Sequence, residues 1–559
     1  MKGGVASRGC DCDKLAALKV ARTVVPANKR IMKDNSSEAH PVVIVSDEKR
    51  GAWPRWIAPT ALVVVVFAIN FAAMPATWWA GDPSAWREET RSILRDSVFH
   101  VNTQYAEHIG EPGQYFVFNA QNGWWYSKYG LMNSLMALPP TALEAAIHGR
   151  IPGAGEQSDL LIFNLYNILL SVLVCGLLYR ITGWYTDRTW VRVVYVLCTC
   201  YATFFWYYQR AQGAEVYQVL FFTTAFYFLM SYLRGLRDTR GEPGRKHMLA
   251  LAGAWIFVTA LLLTRIIFGL LIPTVWLAVI YVATGLDKER RWQILRRQSV
   301  WLLLLPALAI GLLLWINQVK FGSPWLTGYH QWRPREHLPV GRWQDGIWGV
   351  LFDPQASILL HFPILAFGLL GLREFYRRYK LDMVVLFLLP SALFLWLTKT
   401  PSWRGEWTYG PRYLIFALPL LSLPFVVFLE WLVQAPSRGG KAAIAAATVA
   451  TLGYSTFLQY QVNRLGFWTM YQVSATVDDA WSREMARYFL EHGMGAFNSD
   501  LIRHRDNLDD LPIVAELKKR GLTGQQLENY KMLLRGFADE ENFYWKRAPS
   551  SPATPTTGQ

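Results

Sequence analysis

WWAGDPSAWREETRSIL at residues 78–94 and NGWWYSKYGLMNSLMALP at 122–139 bound the segment on which the fold turns. The first stretch leaves a strongly apolar run, 57–77, and sets an isolated carboxylate, Asp82, at its exit. The second leads through Lys128, Tyr129 and Gly130 into another apolar helix. If 57–77 spans a membrane, the segment between lies just outside it. It is too long and too aromatic for a plain connector, and its first half has the pattern of an amphipathic helix.

Working outward, the whole chain of 559 residues is 52% hydrophobic and 17% charged, with 26 Trp, 26 Tyr and 30 Phe. That composition, broken into many apolar runs, indicates a polytopic membrane protein and not a string of soluble domains. A formal net charge of +15 raises nucleic acid as a partner. The Lys and Arg sit in short loops between apolar runs, however, which is the pattern of membrane topology and excludes that reading.

Apolar runs recur at 57–77, 158–179, 190–208, 215–233, 248–263, 266–284, 299–317, 356–372, 382–398, 413–433 and 441–459. Each is close to the ~20 residues that cross ~30 Å of hydrocarbon. With the N-terminus inside, every inside loop is basic: Arg180 and Arg188, Arg234 to Lys246, Lys288 to Arg297, Arg373 to Lys380, and Arg438 with Lys441. An odd number of spans then puts the C-terminus outside. The expected fold is an all-α polytopic membrane protein of about eleven transmembrane helices. It has a large first extracytoplasmic loop containing amphipathic helices and a small C-terminal helical extramembrane region.

The expected division is a disordered cytoplasmic tail at 1–54, a transmembrane domain at 55–460, an extracytoplasmic helical appendage at 461–547 and a frayed tail at 548–559. Residues 479–491 and 511–520 read as amphipathic helices. Cys10 and Cys12 fall in the N-terminal tail and Cys175, Cys198 and Cys200 in apolar runs, so no extracytoplasmic disulfide is expected.

The informative charges are those that break the positive-inside pattern. Outside turns carry Arg210 with Glu215, then Arg265, then Lys399, Arg404, Glu406 and Arg412, and a longer loop adds Lys320, Arg333, Arg335 and Arg342. Ionisable groups at this depth are costly unless they face protein or a polar cavity. As a set they suggest an anionic ligand such as a phosphate, since guanidinium forks bind phosphate oxygens in bidentate fashion. Singly, each could be a headgroup contact or an internal ion pair.

Asp82 could cap the helix that follows or, kept ionised by a nearby arginine, accept a proton. Glu88 and Glu89 are weaker candidates, because consecutive helix positions point apart and at least one should face water. Lys128 and Tyr129 are either interfacial anchors or ligand contacts, and Trp325 and Tyr329 in GSPWLTGY, with Trp332, Trp343, Trp403 and Trp407, either belt residues or sugar platforms. His361, inside an apolar run, reads as a packed histidine. No GxxxxGK[ST], HExxH or GxSxG motif is present, so ATP-driven transport and serine hydrolysis lack support.

Six short motifs stand out: GDPSAW after the first run, YSKYGLMNSLMALP, Thr264-Arg265, FGSPWLTGY, GIWGVLFDP and SWRGEWTYGPRYL. Together they resemble the polyprenol-phosphate-dependent membrane glycosyltransferases of the GT-C class, such as protein O-mannosyltransferases and the aminoarabinose transferase of lipid A. The resemblance covers roughly residues 55–460. It implies a cavity at the outer leaflet where a lipid-linked sugar meets an acceptor. Asp82 would be the catalytic carboxylate, Arg412, Arg404, Arg265 and Lys128 would hold the donor phosphate, and Tyr129, Tyr329 and Glu406 would contact substrate.

Two departures stand out: Pro83 replaces the second acidic residue often found beside the first, and the oligosaccharyltransferase signature WWDYG is missing. The implied activity is inverting transfer of a sugar from a polyprenyl-phosphate donor to a hydroxyl on a lipid, glycan or protein, at the extracytoplasmic face of the plasma or inner membrane. No cofactor or metal ligand is assigned, although a divalent cation stays open. The alternatives are a lipid-linked glycan transporter and an O-antigen ligase or polymerase.

Overall fold

The computed structural model describes residues 56–464 except 76–81, 109–112, 211–212, 240–243, 332–337, 354–356, 404–409 and 435–438, together with parts of 504–531. Expectations for the 1–54 tail, for 479–491 and for the last twelve residues fall outside these.

Among the described residues, each of the eleven apolar runs lies for the most part on helical structure. In chain order the helices are α1 (Ile57–Ala72), α2 (Asp82–Asp96), α3 (Thr103–His108), α4 (Leu131–His148), α5 (Leu160–Thr182), α6 (Thr189–Tyr201), α7 (Phe205–Arg210), α8 (Ala214–Asp238) and α9 (Arg245–Thr264). They continue as α10 (Leu271–Thr284), preceded by a 3-10 turn at Ile266–Leu270, then α11 (Lys288–Phe321), α12 (Trp343–Phe352), α13 (Ile358–His361), α14 (Pro363–Arg378) and α15 (Lys380–Lys399). After a 3-10 turn at Arg412–Leu414 come α16 (Leu418–Leu421), α17 (Pro424–Gln434) and α18 (Gly439–Arg464). Beyond these, α19 (Pro512–Lys519) buries Ile513, Val514 and Leu517 on one face, in line with its amphipathic sequence.

Seven helical segments among the described residues are long and apolar enough to cross a membrane: α5, α8, α9, Ile266–Thr284, α11, α15 and α18. Three more, Ile57–Ala72, Thr189–Tyr201 and Leu418–Gln434, are apolar but shorter. The chain is therefore a multi-pass membrane protein. Helix α8 is its axis. It packs against α9 and α5, and Ala214 through Val219 are all buried, so the first turn of α8 sits inside protein.

The segment after α1 is where the all-α expectation is incomplete, because it holds a small antiparallel sheet of order β1-β3-β2. Its strands are His100–Val101, Phe116–Asn119 and Trp124–Ser127, with His100 opposite Tyr126 and Phe116 opposite Ser127. The β2–β3 turn closes on the Asn119 carbonyl, which accepts from Asn122 N and Gly123 N, with Gly123 at φ +75° where a side chain would be strained. Strand β3 runs straight into Lys128 and Tyr129, so the sheet aims these two side chains.

A separate small core of Ala85, Trp86, Val101, Phe116, Tyr129 and Ala137 joins α2 and α4 to the sheet. Helix α11 reaches this assembly because its 34 residues run about 51 Å, well beyond the ~30 Å of hydrocarbon. At its end the Val319 carbonyl accepts from Asn119 Nδ2 at 3.2 Å.

Candidate active site

Asp82 opens α2, and both of its carboxylate oxygens have partners from distant parts of the chain. Oδ1 accepts from the Tyr129 hydroxyl, and Oδ2 accepts from Arg412 Nη2 at 2.8 Å. The Nε of Arg412 donates to Glu215 Oε1 in the first turn of α8. Arg265 approaches the same Glu215 oxygen at 3.8 Å and lies 5.0 Å from the centre of the Tyr413 ring. Five segments thus meet in one chain of contacts: Tyr129, Asp82, Arg412, Glu215 and Arg265.

Local structure explains how each group arrives. Arg265 sits in extended backbone, φ −150° and ψ 129°, at the break between α9 and the 3-10 turn, so its side chain leaves the helix line. Arg412 begins the short 3-10 turn after Pro411. Gly130 lets the return element press on α9, since a Cβ there would collide with the Leu263 carbonyl oxygen. Gly328 does the same for the GSPWLTGY loop, whose backbone lies on the Lys128 carbonyl. Lys128 Nζ is then 5.2 Å from the ring centres of both Tyr129 and Tyr329.

The electrostatics follow from this crowding. Burial pushes the Asp82 carboxyl up, but Arg412, then Lys128, the Tyr129 hydrogen bond and Arg265 together outweigh it and bring its pKa down from 3.8 to about 2. Burial and the Asp82 charge push the Tyr129 phenol well above its usual value, so it stays protonated and donates. Burial alone would lower Arg412, yet the Glu215 and Asp82 side chains beside it raise it well above the usual guanidinium value. At neutral pH Asp82 is therefore an ionised carboxylate held between the protonated Tyr129 phenol and the charged Arg412 guanidinium.

Beside this row lies a cavity of about 630 Å³. Arg265, Gln218, Tyr329, His330 and Tyr413 supply polar groups to its wall, and the remainder is largely apolar, including Ile266, Trp325, Trp396 and Phe416. An elongated apolar ligand with an anionic end would fit such a lining.

Of the site residues expected from sequence, the structure brings together Asp82, Arg412, Arg265, Lys128, Tyr129 and Tyr329. Arg404 and Glu406 lie outside the described residues, as do Arg333, Arg335, Trp332 and Trp407. Arg210 stands apart, buried and donating to Asn463 Oδ1 at 2.6 Å and the Ala73 carbonyl at 2.8 Å. Lys399 stacks over Trp343, 5.3 Å from the ring centre, and His361 packs edge-on against Phe204, as a core histidine would.

One expectation is overturned. Glu88 and Glu89 are both buried, at 5% and 0% exposure, because α4, the end of α11 and the 153–158 loop cover successive faces of α2. Glu88 pairs with Arg91 at 2.5 Å, and Arg91 also donates to the Gly153 and Glu156 carbonyls. Glu89 pairs with Lys320 at 2.7 Å and accepts from Ser134 Oγ at 2.5 Å, while Lys320 also donates to the Tyr129 carbonyl at 2.9 Å.

Sequence reading also missed Glu215 as a member of the site. Its signal was available, a carboxylate at the mouth of an apolar helix, but the adjacent Arg210 was the more obvious partner. Among the described residues no group of three or more His, Cys, Asp or Glu converges, and between Asp82 and Glu215 stands Arg412.

No family model matches the chain, and the search of curated proteins returns no match. Among solved structures the chain is similar to the archaeal oligosaccharyltransferase AglB from Archaeoglobus fulgidus in complex with an inhibitory peptide and a dolichol-phosphate, at 11% identity and TM-score 0.46 over 85% of this chain and 61% of that one. It is similar to ArnT from Cupriavidus metallidurans bound to undecaprenyl phosphate, at 14% identity and TM-score 0.45 over 86% and 75%. A third is the S. cerevisiae protein O-mannosyltransferase Pmt1-Pmt2 complex bound to the sugar donor, at 13% identity and TM-score 0.33 over 50% and 35%. The chain thus spans about three fifths of the length of the archaeal enzyme.

Proposed function

We propose that this chain is a membrane glycosyltransferase that moves a sugar from a polyprenyl-phosphate donor to a hydroxyl acceptor at the extracytoplasmic face, with inversion at the anomeric carbon. The observation that carries the reading is the row Tyr129, Asp82, Arg412, Glu215, Arg265 beside an apolar cavity. A carboxylate, two guanidiniums and an apolar chain site are what such a transfer requires.

In the reaction, the acceptor oxygen attacks the anomeric carbon and the bond from that carbon to the phosphate oxygen breaks. The hydroxyl proton passes to Asp82, and the electron pair leaves with the polyprenyl phosphate, whose charge Arg412, Arg265 and Lys128 stabilise. A phosphate leaves without being protonated, so one carboxylate suffices where glycoside hydrolysis usually needs two. Arg412 has a further consequence. With its pKa near 2, Asp82 is a poor base in the free enzyme, and a donor phosphate that draws Arg412 toward itself raises the basicity of Asp82 when substrate is in place.

The test is incubation of purified protein in proteoliposomes with polyprenyl-monophosphate sugars and a panel of hydroxyl acceptors. Release of polyprenyl phosphate with inverted product stereochemistry is expected. Movement of the donor across the bilayer with its sugar bond intact would replace the reading with transport, and exclusive use of diphosphate donors would replace it with a ligase or polymerase.

A pH profile tests the Arg412 step. The wild-type kcat/KM should show no acid limb due to Asp82 above about pH 4, since that group titrates near 2 in the free enzyme. In Arg412→Gln, burial is no longer offset by its largest opposing charge, so the Asp82 limb moves to higher pH. An unmoved limb would detach Asp82 from Arg412.

A further inference from the structure

Gln218 lies one turn beyond Glu215 on α8, about 4.5 Å along the helix, and forms part of the cavity wall beside Arg265 and Tyr413. It is 2% exposed, and its Nε2 is enclosed with no hydrogen-bond partner among the described residues. Leaving a buried donor unmade costs about 1–3 kcal/mol. Its neighbours on the helix, Val216, Val219, Leu220 and Phe221, show that an apolar side chain is the ordinary choice there. Other buried polar atoms lack partners too, but of the residues that carry them Gln218 is the one that lines this cavity.

The cavity defines what could satisfy the amide. Arg265 brings positive charge to the same wall, and the rest is largely apolar, so an oxygen-rich anionic group on an apolar body suits both. Rotation of the amide by 180° exchanges its donor and acceptor ends, so the NH2 group can be turned to the ligand without moving the backbone.

Resting on the reading above that this cavity takes the lipid-linked donor, we propose that the Gln218 amide donates a hydrogen bond to a phosphate oxygen of a prenyl-phosphate head, beside the Arg265 guanidinium. Gln218 is then a binding residue for the phosphate, one turn along α8 from Glu215. It acts on donor affinity and takes no part in proton transfer.

The experiment uses the full-length protein in detergent and radiolabelled farnesyl phosphate, with farnesol and inorganic phosphate as the other two arms. Gln218→Met, close in shape and unable to donate, should weaken farnesyl phosphate binding about 5–10-fold and leave farnesol unchanged, with inorganic phosphate failing to compete. Gln218→Glu should weaken it further by setting a like charge against the phosphate. Without ligand, the Met variant should unfold at or above the wild-type temperature, since an unpaired donor has been removed; an amide with a structural partner would give the opposite result and overturn the proposal.

Wild-type affinity in the Met variant, or equal losses for farnesol and farnesyl phosphate, would each overturn the role of Gln218 while leaving the glycosyltransferase reading standing, and displacement by inorganic phosphate would overturn the prenyl-phosphate head as the ligand in favour of free phosphate. Failure of the wild type to bind farnesyl phosphate would overturn both.

Discussion

Asp82→Asn should reduce sugar transfer by about a hundredfold to ten-thousandfold, the range a positioned general base contributes. The substitution keeps the shape of the side chain and an oxygen for the Tyr129 hydroxyl to donate to. It cannot take a proton, and it turns an NH2 group toward Arg412, where the wild type has an accepting oxygen at 2.8 Å. Arg412 keeps its other partner, Glu215, so the turn at residues 412–414 has a reason to stay in place. The variant should therefore elute as a folded protein and bind a prenyl phosphate, with the loss confined to kcat. The decisive comparison is kcat with donor binding measured on the same preparation, and Asp82→Glu should recover part of the rate. Activity within about threefold of wild type would take Asp82 out of the chemistry.

Local signals were enough to locate most of these groups. Asp82, Arg265 and Arg412 stood out because each is an ionisable residue beside an apolar run on the side where positive charge is otherwise sparse. Such groups need a partner or a cavity wherever the chain goes. The helices under the apolar runs were legible for the same reason, since length and hydropathy are properties of single segments.

What could not be read depends on pairs of segments far apart in sequence. The strands His100–Val101 and Trp124–Ser127 are too short for an alternation pattern, and their pairing exists only once α2 and α4 bring them together. Glu88 and Glu89 could not be placed because exposure of consecutive helix positions assumes one covered face, and α2 is covered on several. Glu215 shows the same limit. The near neighbour Arg210 suggested itself, whereas the actual partner is 197 residues away.

Lys320→Met is expected to destabilise the fold by about 3–5 kcal/mol, because it strips the partner from a carboxylate that has no access to water. Glu89 is 0% exposed and Lys320 1%, so neither charge can be rehydrated when the other is lost. Burial already pushes the Glu89 carboxyl above 4.5, with Lys320 and Ser134 pulling the other way. Without Lys320 only the Ser134 hydrogen bond opposes burial, so the folded pKa rises further.

The sign of the pH effect follows. A carboxyl whose folded pKa lies above its unfolded value favours the fold when protonated, so stability falls as pH rises from 4.5 through the folded value. The deficit of Lys320→Met against wild type should then be largest at neutral pH and shrink as the pH approaches 4.5. Thermal midpoints in detergent, followed by size-exclusion recovery at several pH values, measure it. The double variant Glu89→Gln/Lys320→Met should regain most of the loss, since an uncharged pair leaves no ion stranded. Because Lys320 also holds the Tyr129 carbonyl at 2.9 Å, the double variant should remain impaired in kcat even where its stability returns. Full recovery of both would reduce the Glu89–Lys320 pair to a packing element, and an unchanged midpoint in the single variant would mean that Glu89 is satisfied without its lysine.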